Sequence, residues 1–120
     1  MTIHTQRVYD HSQAQGHLFL VDRVWPRGIT KETLSDAVWV KDVAPSTALR
    51  KWFGHDPSKW NGFLHRYFKE LDSNTDAWKP ILAAAKHGSV TLLYGAKDEE
   101  HNQAVALKSY LEAKLKRKRA

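Results

Sequence analysis

The sequence predicts a small α/β domain. The expected architecture is a mostly parallel sheet flanked by helices on both sides, layered α/β/α and Rossmann-like but without a glycine-rich loop. Three observations lead there. Two short apolar runs, Leu18–Val21 and the one inside SVTLLYG at residues 89–95, have the length and continuity of strands buried on both faces. The stretches between and after them carry helical periodicity and helix-capping residues. The order is strand, strand, several helices, strand, helix, which interleaves the two kinds of element as layered α/β domains do. A chain of 120 residues with 42% apolar content makes one domain with a single core.

The elements follow from their local signals. IHTQRVYD reads as a first strand, with Ile3 and Val8–Tyr9 as its apolar positions, and DHSQAQG as a polar turn. HLFLVDRVW is the strongest strand. Thr30 is expected to cap a short helix running through Val38, and WVKDVAP to be irregular. Ser46 is placed to N-cap a helix over TALRKWF, with Gly54 closing it. Asp56-Pro57 repeats the signal, with proline at the first helical position. Beyond it Trp60, Phe63, Leu64, Tyr67, Phe68 and Leu71 recur at helical spacing, an aromatic stripe suited to core packing. LDSNTD is a loop, and a helix from Thr75 or Asp76 is expected to end at Gly88, with Pro80 tolerated near its start. The last helix is expected over DEEHNQAVALKSYLEAKLKRK, seamed by Ala104, Leu107, Leu111 and Leu115.

Charge and composition remove several function classes. There is no cysteine, which excludes disulfides and thiolate zinc sites. No apolar run approaches the roughly 20 residues that span a bilayer, and the N-terminus lacks signal-peptide character, so a cytoplasmic protein is expected, with no membrane partner. The net charge of +6 is local: Lys114, Lys116, Arg117, Lys118 and Arg119 carry five of it, leaving +1 elsewhere. The expected division is therefore a domain over 1–113 and a basic helix end over 114–120. Those cations suit a helix C-terminus as well as a phosphate. Seven histidines are present, but none has convincing metal-site spacing, so no metal is expected. No Walker loop or dinucleotide fingerprint occurs, so no cofactor is expected.

The site prediction rests on topology. Ligands of open α/β sheets bind beyond the carboxyl ends of the strands. Two segments hold that position if their strands are parallel: Asp22-Arg23-Val24-Trp25-Pro26-Arg27-Gly28, and Tyr94-Gly95-Ala96-Lys97-Asp98 with His101 and Asn102 one turn further on. Arg23 and Arg27 offer planar forks for a carboxylate or phosphate, on a corner stiffened by Pro26 and bent at Gly28. Asp22 pairing with a neighbouring arginine and Trp25 filling core are the structural alternatives. The middle segment adds Lys41, Ser46, Arg50 and His55 as ligand-binding candidates, beside Trp25, Tyr94 and Asn102. His101, Asp22 and Asp98 are the catalytic candidates. Asp56 and His55 are further acid–base options, and histidine is favoured because it titrates near neutrality.

The ordered motifs VDRVWPRGITKETL, W-x-K-x-x-APS-x-x-LR-x-WFGHD, W-x-x-F-x-x-RYF-x-EL and VTLLYGAKD-x-x-HN-x-A-x-x-L resemble the YeaO-like group of the domain-of-unknown-function family 488. The resemblance runs from Arg7 to the final helix and implies a single α/β domain with a mostly parallel sheet. Larger relatives show a strand ending in Asp-x-Arg and a Cys-His-Arg signature at the start of the last helix. This chain is similar at Asp22-Arg23 and has His101-Asn102 near the second place. It has no cysteine, so thiol chemistry does not carry over. The expected function is binding of, or action on, an anionic or phosphate-bearing small molecule in an arginine-lined cleft. The alternatives are a nucleic-acid binder using the basic tail with the arginine corner, and a protein-interaction module using exposed tryptophans.

Overall fold

The computed structural model describes residues 2–117. Four strands, β1 (Thr2–Arg7), β2 (His17–Leu20), β3 (Ala37–Trp39) and β4 (Ser89–Tyr94), form one sheet in the order β1-β4-β2-β3. Every pairing is parallel. The two apolar runs occupy the interior positions β2 and β4, with Leu20, Val21, Val90, Leu92 and Leu93 fully buried. Continuous apolar sequence marks interior strands because both of their faces are covered. The edges are a polar strand, β1, and the three-residue β3.

Four α-helices follow: α1 (Thr47–Phe53), α2 (Trp60–Asp72), α3 (Thr75–His87) and α4 (Gln103–Arg117). All four share one hydrophobic cluster with Ile3, Phe19, Val21, Val90, Leu92 and Tyr94, the side chains of one sheet face. The opposite face, carrying Leu20 and Leu93, is covered by Val8, Trp25, Ile29 and Leu34. These come from a 3-10 helix, Val8–Gln13, and from the segment after β2. The expected α/β class and parallel sheet are therefore present. The layering is unequal, with four α-helices on one face and a 3-10 helix and loop on the other. Thr91 also points to the thin side, where its hydroxyl exchanges hydrogen bonds with the Gln15 backbone. Gly16 beside it has φ +76°, and a Cβ there would lie 2.1 Å from the Ser89 carbonyl oxygen, so only glycine lets the chain enter β2.

The caps fall as expected around α1. The Ser46 hydroxyl accepts from the Leu49 N–H, and Gly54 ends the helix in the left-handed conformation. Asp56 caps a 3-10 turn, Pro57–Lys59, that leads into α2. In α2 the stripe buries Phe63, Tyr67 and Leu71, with Trp60, Leu64 and Phe68 packed at its margin.

Three expectations change. The first strand stops at Arg7, and Val8–Tyr9 begin the 3-10 helix. The helix expected from Thr30 through Val38 does not form. The Thr30 hydroxyl accepts the Thr33 N–H, and four-residue turns close at Ser35 and Ala37. Val38 and Trp39, good strand formers, then pair with Phe19 and Leu20. The last helix begins at Gln103 and not at Asp98, because the Asp98 carboxylate takes the Glu100 and His101 N–H groups and ends a turn there. The Asn102 side chain caps α4 by accepting from Val105. The expected boundary at 113/114 falls inside α4: Lys114–Arg117 form its last described turn, and Lys118, Arg119 and Ala120 lie outside the described residues. No described helix is long and apolar enough to cross a membrane.

Candidate functional site

Because β2 and β4 are parallel neighbours, the segments that leave them emerge at the same sheet edge. Between those segments lies a hollow of about 230 Å³. Asp22, Arg23 and Val24 form one wall, and Ala96, His101, Asn102 and Gln103 form another. The third wall comes from the chain around α1: Ala44, Pro45, Arg50, Phe53 and His55, with Phe63 behind. The hollow thus gathers two guanidiniums, two imidazoles, one carboxyl and two amides over an apolar floor.

Asp22 is the most constrained member. The first residue after Val21 carries its carboxyl from the end of β2 across to the start of the segment after β4. There the Gly95 N–H donates to Oδ2 at 2.8 Å. The other oxygen accepts from the Gln103 side-chain amide. Burial dominates these two donors and the nearby Arg50 charge, and pushes the carboxyl up from 3.8 to about 6. Gly95 is what permits the approach: a Cβ there would stand 2.9 Å from Asp22 Oδ2. Arg7, at the end of β1, holds the same bend by donating to the Ala96 carbonyl.

Arg23 builds the wall as well as lining it. Its guanidinium donates to the carbonyls of Pro45 and Ala44, each at 3.2 Å, and so fixes the loop before α1. Arg50 is an exposed side chain on α1 that also lines the hollow. His55 has φ 57°, directly after Gly54 at φ 55°. Two successive left-handed residues turn the chain sharply, and His55 then lines the opening; such a conformation is uncommon without glycine. His101 is oriented from behind. Its Nδ1 lies 3.0 Å from Asp98 Oδ2, and its ring meets Trp60 edge-on with centroids 5.3 Å apart. The hydrogen bonds to the Asp98 carboxylate, those from Glu100 first, hold its pKa below the usual range.

The other predicted residues lie elsewhere. Arg27 is exposed and outside the lining; its carbonyl accepts from the Tyr9 hydroxyl. The expected clamp of Arg23 with Arg27 is therefore not formed, because the Pro26–Gly28 turn directs Arg27 away. Trp25 packs on the thin face of the sheet and donates to the Ile29 carbonyl, which is the packing alternative. Lys41 lies over the ring of Trp39. The Ser46 hydroxyl is occupied as a cap and donates to Glu70 at 2.6 Å. Tyr94 is buried, which pushes its phenol pKa up, and its hydroxyl is within hydrogen-bonding reach of Asn102. Asp98 acts behind His101. Asp56 caps the Pro57–Lys59 turn through Ser58. No group of three or more metal-ligating side chains forms among the described residues.

Sequence reasoning named Gly95 only within the segment after β4 and Phe63 only as core packing, and it assigned no site role to Gln103 or Phe53. Gln103 directly follows the singled-out pair His101-Asn102, so the start of the last helix was the available signal. A second, larger groove of about 570 Å³ lies between α3 and α4, against Trp78, Leu82 and Lys114. Its polar groups are lysines and His87, and it contains none of the predicted site residues. Lys114, the first cation of the basic helix end, lines this groove. α4 starts at the hollow, and its 15 residues carry the chain about 22 Å from it. Among the tryptophans, Trp39 is exposed and meets the half-buried Trp25 edge-on, while Trp78 is buried.

A parallel sheet whose strand ends frame a charged, ligand-sized hollow defines an α/β protein with its pocket in the position usual for open sheets. The chain belongs to the family described as the inactive DUF488-N3 subclade, whose profile matches residues 2–120. It is 40% identical over 112 residues to the uncharacterized protein YeaO of Escherichia coli K12, a match covering 92% of this chain and 97% of that protein. It is 44% identical over 70 residues to the uncharacterized proteins Mb3100c of Mycobacterium bovis and Rv3073c of Mycobacterium tuberculosis, covering 58% of this chain and 59% of each. No solved structure matches it.

Proposed function

We propose that this protein binds a small anionic molecule in the hollow at the carboxyl edge of the sheet. The carrying observation is that Arg23, Arg50, His55 and His101 line one concavity whose only carboxyl among the described residues is Asp22. Arg50 is the principal anion contact. The Arg23 guanidinium already serves two carbonyls and supplies field more than direct bonds. His101, steadied by Asp98, supplies a directed ring nitrogen. The inactive description of the family supports binding without turnover.

The nucleic-acid alternative would use the basic helix end and the arginine corner together, and no hollow found among the described residues gathers those two groups as this one gathers Arg23, Arg50, His55 and His101. Thermal-shift titration with phosphate, sulfate and citrate tests the proposal. Each effective anion is expected to raise the melting temperature of the parent and of Arg27→Ala alike, and to lose that effect in Arg50→Ala. Equal responses from Arg50→Ala and the parent, or no response from the parent to any of the three, would refute it.

A further inference from the structure

Asp22 gives the hollow a chemistry that a simple anion does not use. Asp22 and Arg50 face the same cavity, yet among the described residues no ion pair joins them; the pair that forms is His101 with Asp98. The Asp22 carboxylate has about four lone-pair sites, and the Gly95 N–H and the Gln103 amide take two. Its remaining acceptor capacity has a hollow in front of it. A simple carboxylate or phosphate placed against Arg50 would bring a second negative charge near Asp22, which opposes binding. A molecule carrying a hydrogen-bonding cation beside its anion would satisfy both groups at once.

We infer that the hollow reads a small aliphatic α-amino acid as a zwitterion, with its carboxylate on Arg50, its ammonium on Asp22 and its side chain against Phe53, Phe63 and Pro45. This rests on the anion-binding proposal and specifies the ligand class. Size agrees: a hollow of about 230 Å³ is room for a small molecule on the scale of an amino acid. The floor agrees, since Phe53 and Phe63 bring aromatic carbon to a wall that Pro45 and Ala44 complete. Energetics agree as well. A buried carboxylate without a cation at bonding distance is costly, and a bound ammonium relieves that cost. Burial already pushes Asp22 up to about 6, so the free protein holds the carboxylate at neutral pH against its desolvation. An ammonium in contact would bring that value back down.

The test uses the whole protein and pairs of probes. Glycine, L-alanine, L-valine and L-leucine are titrated by calorimetry beside their des-amino carboxylates, with 2-hydroxyisovalerate and inorganic phosphate as further arms. At pH 7.5 at least one amino acid is expected to bind tenfold or more tightly than its des-amino partner. Asp22→Asn is expected to erase that difference while retaining the simple anion, and Arg50→Ala to lose both. If no amino acid exceeds its matching carboxylate, the inference is overturned; phosphate binding that depends on Arg50 would then leave the anion reading standing. A hydroxy acid that outbinds valine overturns the ammonium assignment. If no probe binds the parent protein, both readings fail. The amino acid against carboxylate comparison needs only the parent protein, so it decides the matter even if Asp22→Asn does not fold.

Discussion

Replacing Asp22 with asparagine separates the cost of burying this charge from everything else in the hollow. The carboxyl rises on folding from the ordinary 3.8 to about 6, and burial is the main cause. A raised acid pKa means that the folded state holds the proton more tightly than the unfolded chain. Its contribution to stability is therefore complete below pH 4 and is lost as pH rises through 6. The rise corresponds to at most about 3 kcal/mol, and the partial exposure of Asp22 to solvent puts the expected value below that ceiling. Asparagine keeps the local contacts: its oxygen accepts the Gly95 N–H, and the Gln103 amide can turn its own oxygen toward the new NH2 group. It carries no titratable charge. Urea unfolding of both proteins at pH 4 and pH 7.5 gives the readout. The difference, variant minus parent, cancels the other carboxyls and is expected to grow in the variant's favour by about 1–2 kcal/mol. With a urea dependence of about 1–3 kcal/mol/M, that shifts the midpoints apart by on the order of 1 M. A difference that stays constant across this range, or moves in the parent's favour, would mean that Asp22 is not a desolvated carboxyl, and the reasoning about the hollow would lose its centre.

Further perturbations probe the supports. Gly95→Ala places a Cβ 2.9 Å from Asp22 Oδ2 and is expected to cost about 1–3 kcal/mol in urea unfolding; full retention of stability would contradict the close approach. Ser46→Ala removes the cap on α1 and the 2.6 Å bond to Glu70, with an expected loss of about 1–2 kcal/mol by the same assay. His55→Gly releases a left-handed non-glycine residue and is expected to stabilise the fold by about 1 kcal/mol while weakening phosphate binding. A variant less stable than its parent would show that the turn carries no strain.

The legible parts of this molecule are those where burial acts along the chain. Leu18–Val21 and the apolar positions of β4 revealed the two interior strands because each is covered on both faces. Once these strands were taken as parallel, the shared edge of segments 22–28 and 94–102 followed from topology, and the hollow takes residues 22–24 from the first and 96, 101 and 102 from the second. The Ser46 cap and the α2 stripe were readable because capping and amphipathicity are local. β3 was not, since three residues at a sheet edge leave no period to detect and Thr30 imitates a helix cap. The partners of Asp22 lie 73 and 81 residues away, beyond any local rule. Arg23 and Arg27 look alike in the sequence, four residues apart before and after the same proline. Only the fold shows that one reaches the Ala44–Pro45 carbonyls while the other stays in solvent.

The inventory of the hollow also bears on binding against catalysis. Covalent catalysis on a bound anion calls for a protein nucleophile beside a base. The base is present, since Asp98 orients His101 and leaves its Nε2 as the free ring position. The nucleophile is what the surroundings consume. The Ser46 hydroxyl gives its proton to Glu70 and its lone pair to Leu49, outside the hollow, and the chain has no cysteine. Asp22 itself is held from both sides by Gly95 and Gln103, a geometry that aims its oxygens for recognition and restrains them from attack. Fixed partners around a small hollow lower the cost of organising a ligand, and that preorganisation is the basis of binding. On the proposed reading, the histidine–aspartate pair would hold a ligand's hydrogen bond and the positive charge of Arg50 would anchor its other end.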